Sequence, residues 1–80
     1  PEDSLNIKVR MALVHIEQKQ YDLAVAKLKD VLKQVPDSDK IRFYLAAVYE
    51  EIEQYDNAIE NFLRIPSSSQ FYGEAVVHAA

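Results

Sequence analysis

The segment EQKQYDLA (residues 17–24) returns as EIEQYDNA (residues 51–58), 34 places further along the 80-residue chain. The same offset aligns three other pairs without a gap: Ile7 with Ile41, Ala12 with Ala46, and Val14 with Val48. Self-similarity at a fixed period of about 20–50 residues is the sequence signature of a repeat architecture. The sequence therefore contains two copies of one structural unit, and a third copy is expected to begin at Gly73.

The apolar residues of each unit follow the spacing of helices. From Leu5 to Ile16 they recur at steps of three and four, which places them on one face of an amphipathic helix. A sheet is disfavoured because the chain has a single glycine and no Asn-Gly hairpin dipeptide. The predicted helices cover roughly residues 4–18, 22–35, 39–52 and 56–65, followed by a last helix that continues to Ala80.

Proline and small polar residues mark the predicted helix ends. Pro36 ends the second helix, because proline lacks a backbone N–H and restricts the residue before it. Caps are predicted at Asp3 or Ser4, at residues 37–39 and at residues 67–69. Ser and Asp side chains at such positions accept hydrogen bonds from the first turn of a helix.

The composition is that of an ordinary folded protein, with 49% hydrophobic and 28% charged residues. The net charge of −4 argues against a nucleic-acid partner, because that affinity depends largely on Lys and Arg neutralising phosphates. No run approaches the roughly 18 apolar residues of a membrane span, so membrane insertion is not expected. The lack of cysteine fits reducing and oxidising compartments alike. The cysteine content therefore leaves the localisation unknown.

At its repeated residues the chain resembles the tetratricopeptide repeat family. The family pattern places a large residue, then Leu, Gly and Tyr on the first helix of a unit, and Ala, Phe and Pro later. The pattern positions in the first unit are Lys8, Met11, Ala12, His15, Ala24, Leu28 and Pro36. Those in the second unit are Arg42, Leu45, Ala46, Tyr49, Ala58, Phe62 and Gln70. The resemblance implies an all-α fold, a right-handed helical-repeat solenoid of antiparallel helix pairs, with about two and a half units at residues 5–38, 39–72 and 73–80.

Some positions depart from the family pattern. Lys8 and Arg42 stand where the family often has tryptophan, so their aliphatic stems are expected to cover the apolar seam while their charges reach water. Pro66 comes early in the second unit, which predicts a shorter second helix there and a longer loop after it.

The third unit stops within its first helix. Its apolar residues are Ala75, Val76, Val77, Ala79 and Ala80. Because they lack the second helix of their own unit, they are expected to form an exposed patch that promotes self-association through the terminal helix. A repeat array normally ends in a polar cap, and Pro1 stands where an initiating Met would. The chain is therefore expected to be a fragment of a larger repeat protein.

No group of residues points to catalysis, a cofactor or a metal ion. His15 and His78 are the only imidazoles, and neither is followed by a Glu or His four residues later. His15 falls on the pattern's tyrosine position, which favours a packing role. The carboxylates of residues 50–60 are interpreted as a solvated helix face, because no loop gathers their oxygens as calcium requires. Residues 67–69 lack the glycine elbow and the base that activate a serine nucleophile, so an enzyme is not expected.

The resemblance also implies a binding surface. In this family the first helices of successive units line a concave groove, and the second, fifth, ninth, twelfth and thirteenth positions of each unit usually meet a bound peptide. Here those positions are Asn6, Val9, Leu13, Ile16, Glu17, Lys40, Phe43, Ala47, Glu50, Glu51, Glu74 and Val77. The set is apolar at one end and acidic at the other. Relatives that clamp a terminal carboxylate use Lys and Asn at the fifth and ninth positions, whereas Val9 and Leu13 stand here, so such a clamp is not expected.

Two functions remain open. An apolar stripe suits an amphipathic helix or an extended apolar segment laid in the groove, which predicts a protein–protein interaction scaffold with a protein or peptide partner. Alternatively, Val9, Leu13 and Ile16 are covered by neighbouring units or by self-association, which predicts a structural spacer or oligomerisation element without a foreign ligand. The size of the free groove discriminates between the two.

Overall fold

The structure is a computed structural model that describes residues 2–79, with side chains described for residues 4–77. Over these residues the chain forms five α-helices and no β-strand. The helices are α1 (Glu2–Glu17), α2 (Tyr21–Gln34), α3 (Asp39–Glu51), α4 (Tyr55–Leu63) and α5 (Tyr72–Ala79). The predicted all-α fold is confirmed, and each helix lies within a few residues of its predicted bounds. Predictions that involve Pro1, Ala80 or the side chains of His78 and Ala79 fall outside the described residues.

The helices pack in chain order. The first hairpin pairs α1 with α2 and the second pairs α3 with α4, while α2 also packs against α3 and α4 against α5. Linkers at residues 18–20 and 52–54 are too short for the paired helices to run any way but antiparallel. Within residues 2–79, no helix combines the length and the apolar character that crossing a membrane requires. The handedness of the solenoid and the unit boundaries stay predictions.

Four alanines lie at the centre of the hairpins. Ala12, Ala24 and Ala46 are 0% exposed and Ala58 is 2% exposed. Small side chains at these positions let the helix backbones approach closely. Around them a core continues through both hairpins, and its largest fully buried side chains are Phe62, Leu28 and Val31. Close packing of this kind leaves little tolerance for a change in side-chain volume.

The turn between the paired helices is built in the same way twice. Lys19 and Glu53 have φ angles of 61° and 62°, in the left-handed region that commonly ends a helix. In each turn the following N–H donates to the carbonyl five residues back, at 2.7 Å in the first turn and 2.9 Å in the second. Tyr21 packs against the core, whereas the equivalent Tyr55 is 54% exposed. Of the two equivalent tyrosines, only Tyr21 therefore fills this corner against the core.

The predicted helix caps are confirmed in part. Ser38 caps α3, because its Oγ accepts a hydrogen bond from the N–H three residues later at 3.4 Å. The cap predicted at Asp3 or Ser4 is wrong, since α1 already includes both residues and a cap residue has non-helical backbone angles. Ser69 Oγ accepts a hydrogen bond from the Phe71 N–H at 3.1 Å, in the loop before α5.

The second hairpin ends in a long loop. α4 has 9 residues against 14 in α2, so the shortening predicted from Pro66 is confirmed. The loop spans residues 64–71 and brings Phe71 back to α3, where its ring centroid lies 5.6 Å from that of Phe43. Phe43 also meets Phe62 edge to face at 5.4 Å. The loop thus completes an aromatic cluster beside α3.

Lys8 and Arg42, which are equivalent residues of the two first helices, each form a polar contact with the second helix of their hairpin. Lys8 Nζ lies 3.3 Å from Asp30 Oδ2. Arg42 donates to Asn61 Oδ1 at 3.3 Å and to the Pro36 carbonyl at 3.1 Å. Both cations bind polar acceptors close to the surface, where the Lys8 side chain is 28% exposed and the contact between Arg42 and Pro36 is exposed.

Candidate functional site

A groove runs between α1 and α3, beside the start of α2. We call it the interhelical groove, and it has a volume of about 510 Å³. It is lined by Leu13, Ile16, Tyr21, Tyr44, Ala47, Val48, Glu50 and Glu51. Leu13 and Ile16 are three places apart on α1, and the α3 residues recur at steps of three and four from Tyr44, a spacing that brings side chains to one face of a helix. The amphipathic spacing of the sequence therefore creates a two-walled groove.

The floor of the interhelical groove is apolar. Leu13 is 37% exposed, and Ile16, Tyr44 and Ala47 are half-buried. Val48 lies deeper, at 2% exposure. Because Ala47 carries only a methyl group, the centre of the groove stays open to an incoming side chain. An apolar side chain placed there would be removed from water on several sides.

The far end of the groove is acidic. Glu51 is exposed and Glu50 is half-buried, and both line the groove where α3 ends. The C-terminus of a helix also carries a partial negative charge from its aligned peptide dipoles. This end of the groove is thus suited to a Lys or Arg side chain and unsuited to a carboxylate.

The structure brings part of the predicted site together. The predicted residues that line the groove are Leu13, Ile16, Ala47, Glu50 and Glu51. Val9 and Phe43 are partly buried against the core. The remaining predicted residues are exposed outside the groove: Asn6 and Glu17 on α1, Lys40 on α3, and Glu74 and Val77 on α5. The groove residues are therefore concentrated near the C-terminal ends of α1 and α3.

Three residues that line the groove are not among the peptide-contact positions that the family resemblance predicts. Tyr44 precedes Ala47 by three places, so helical spacing alone would have found it. Tyr21 belongs to the repeated turn but comes from α2, and only the packing of the hairpin brings it to the groove. Val48 is a core residue whose edge reaches the groove floor.

The histidine on α1 has a structural partner. His15 is half-buried and its Nδ1 lies 2.9 Å from Gln20 Oε1, so the ring ties the end of α1 to the turn. Among the described residues, no three His, Asp or Glu side chains are grouped closely enough to hold a metal ion.

Comparison with known proteins identifies a family. A family model described as Tetratricopeptide repeat matches residues 15–79. Repeats of this family generally mediate protein–protein interactions and are generally non-catalytic. No curated protein and no solved structure compared with the chain matches it. Since the match covers most of the chain, from α1 to α5, the protein belongs to the tetratricopeptide repeat family.

Proposed function

We propose that the interhelical groove binds a short segment of a partner protein, with an apolar side chain on the floor and a Lys or Arg side chain beside Glu51. One observation carries the proposal: an apolar floor and two carboxylates line the same groove. The chain then acts as a protein–protein interaction scaffold.

The size of the groove limits the strength of this binding. Burial of about 100 Å² of apolar ligand surface contributes about 2.5 kcal/mol. An exposed ion pair adds at most about 1 kcal/mol. Several ligand side chains must therefore contribute. We expect a dissociation constant of roughly 1 mM to 1 μM, and this constant should rise as salt is added because salt screens the ion pair.

The charge of the groove selects against acidic ligands. A terminal carboxylate would meet Glu50, Glu51 and the negative end of α3. Val9 and Leu13 supply no hydrogen-bond donor from their side chains to hold it. The expected ligand therefore combines apolar and basic residues.

Selected peptides provide the test. Phage display on the wild-type chain would select peptides of about 12 residues. We expect these peptides to carry an apolar residue near a Lys or Arg. By isothermal titration calorimetry, Leu13→Lys and Ala47→Glu should each weaken binding at least about tenfold, because a charge then occupies the apolar floor. Glu51→Lys should weaken binding about threefold or more at low salt, by repelling the basic residue.

A matched control lies outside the groove. Leu63 is 69% exposed on α4, so Leu63→Ala removes an apolar surface side chain and should leave the affinity unchanged. Circular dichroism must show each variant as helical as the wild-type chain. The proposal fails if folded Leu13→Lys and Ala47→Glu variants bind as tightly as wild type, or if the selected peptides lack basic residues.

A second candidate function is that of a structural spacer or self-association element. It is favoured by the exposed side chains of α5, where Val76 is 44% and Val77 is 75% exposed. In this case the terminal helix pairs with another copy and no foreign peptide is bound. The concentration dependence of the molecular mass, treated in the Discussion, tests it.

A further inference from the structure

A second hollow lies between the two hairpins, at the end where α2 and α4 begin. It has a volume of about 260 Å³, slightly below the range of roughly 300–1,000 Å³ that is usual for small-molecule sites. Its lining comes from α2, from the end of α3 and from the turn into α4, and it shares no residue with the interhelical groove. We call it the Tyr49 hollow, and it is lined by Asp22, Val25, Lys29, Tyr49, Ile52, Gln54 and Asn57.

Tyr49 presents an unpaired hydroxyl to this hollow. The residue is 6% exposed, and its hydroxyl makes no hydrogen bond to any described residue. The hydroxyl is not sealed within the core, because no described side-chain oxygen or nitrogen is both enclosed and unpaired. It therefore opens into the hollow that Tyr49 lines. A phenol O–H in this place can donate a hydrogen bond to a ligand.

The equivalent polar group of the first unit is paired within the protein. Shifted by 34 places, Tyr49 corresponds to His15 and Gln54 to Gln20. His15 Nδ1 lies 2.9 Å from Gln20 Oε1. In the second unit, Gln54 Oε1 instead accepts a hydrogen bond from Asn57 Nδ2 at 2.9 Å. The amide oxygen that engages the ring in the first unit is thus occupied in the second, and the Tyr49 hydroxyl stays available.

A cation lies beside this hydroxyl. Lys29 Nζ is 5.9 Å from the centroid of the Tyr49 ring, within the range of a cation–π interaction. No described carboxylate forms an ion pair with Lys29, since the adjacent Asp30 is paired with Lys8. Lys33 follows one turn later on α2. The ammonium and the hydroxyl together supply the donors that bind a carboxylate.

The other end of the hollow is acidic. Asp22 lines it and forms no ion pair with a described residue. The turn into α4 adds Glu53 and Asp56, while Lys19 is the cation of the turn before α2. Asp22 and Lys29 are seven residues apart on α2, which is about 10 Å along the helix axis. The hollow therefore runs from a negative end to a positive end, and these charges match those of a zwitterion.

We propose that the Tyr49 hollow binds a short zwitterionic peptide of about three residues. The terminal carboxylate accepts hydrogen bonds from Lys29 and Tyr49, and the terminal ammonium lies beside Asp22. The middle side chain packs on Val25 and Ile52, which are partly buried against the core. Three extended residues span about 10 Å, which equals the separation of the two charges along α2. This site is separate from the interhelical groove and does not rest on the function proposed for it.

The tripeptide Gly-Leu-Gly with free ends is the probe. Its binding to the 80-residue chain is followed by NMR at low salt through the backbone amide shifts. We expect saturable binding with a dissociation constant of about 1 mM, and shifts concentrated in residues 22–29 and 49–57. Acetylating the N-terminus or amidating the C-terminus should each weaken binding about threefold or more, because each removes one ion pair. Gly-Gly-Gly should also bind at least about threefold more weakly, since it lacks the apolar side chain.

Variants assign each end of the peptide to its residue. Tyr49→Phe removes only the hydroxyl and should weaken binding about threefold or more. Lys29→Met keeps the aliphatic stem and removes the charge, so it should weaken the free peptide by a similar factor and leave no further effect of amidation. In the same way, Asp22→Asn should leave no further effect of acetylation.

Control variants separate this hollow from the other surfaces. Lys27 is two residues from Lys29 and faces another side of α2, so Lys27→Met removes a matched charge and should leave the affinity unchanged. Leu13→Lys in the interhelical groove should also have no effect. The proposal is overturned if binding does not saturate by about 10 mM, or if the peptide with both ends blocked binds as tightly as the free peptide. Wild-type affinity in Tyr49→Phe and Lys29→Met variants that remain helical by circular dichroism would overturn it too.

Discussion

At the scale of single residues, the four buried alanines limit how far the hairpins can change. Ala24 on α2 and Ala58 on α4 occupy equivalent places and are 0% and 2% exposed. A methyl group fits there because a facing helix leaves no further volume. Ala26 lies two residues after Ala24 on the same helix, but it is exposed and has room for a larger side chain. The same substitution should therefore have different effects at these positions.

We expect Ala24→Leu and Ala58→Leu each to lower the free energy of unfolding by about 1–3 kcal/mol, because overpacking forces strained rotamers or backbone shifts. Urea denaturation followed by circular dichroism measures the change. Ala26→Leu is the control and should stay within about 0.5 kcal/mol of wild type. Unchanged midpoints for both buried variants would show that these alanines do not lie at a tight helix contact.

At the scale of the elements, the repeated turn contains backbone strain. Lys19 and Glu53 adopt positive φ, a conformation that costs a non-glycine residue roughly 1–2 kcal/mol. Glycine relieves most of this cost but loses more backbone entropy on folding, by about 0.5–1 kcal/mol. The two terms leave a small net gain for glycine.

Glu53→Gly is therefore expected to raise the free energy of unfolding by about 0.5 kcal/mol, and Lys19→Gly to do the same. Ala26→Gly, in the exposed middle of α2, provides the opposite case and should lower stability by about 1 kcal/mol. Thermal and urea unfolding of the three variants give the comparison. A loss of stability in both turn variants would mean that the side chains of Lys19 and Glu53 contribute more than their backbone strain costs.

At the scale of the whole molecule, the last helix is only partly covered. Ala75 packs inward at 1% exposure, whereas Val76 and Val77 are 44% and 75% exposed. Nearby Tyr72 on the same helix is 41% exposed. An apolar group of this kind favours contact with a second chain. Self-association through α5 remains the expected behaviour at high concentration.

Sedimentation equilibrium should show the average mass rising as the concentration approaches about 1 mM, since weak contacts of this size have dissociation constants near that value. Val77→Glu should suppress the rise by placing a charge in the contact. Met11→Glu, on the opposite end of the molecule, serves as the comparison and should not suppress it. A wild-type chain that stays monomeric throughout this range would rule out self-association through α5.

The sequence by itself determined the helices, their order and the repeated turn. Helical spacing and Pro36 are local features that act over one or two turns of chain, so they locate α1 to α5 to within a few residues. The 34-place repeat adds the pairing of helices, because equivalent residues must pack in equivalent ways. The assignment of Leu13, Ile16 and Ala47 to a groove came instead from the resemblance to the tetratricopeptide repeat family, whose peptide-contact positions they occupy.

Only the tertiary structure decided which equivalent residues have equivalent surroundings. Ile7 and Ile41 share the same local pattern, yet Ile7 is 58% exposed and Ile41 is 5% exposed. The difference arises because α2 packs against α3, which carries Ile41. Phe43 occupies a predicted groove position, but Phe71 from the following loop lies against its ring. Burial depends on which distant segment covers a helix face, and that is a property of the packed assembly that the periodicity of one helix does not contain.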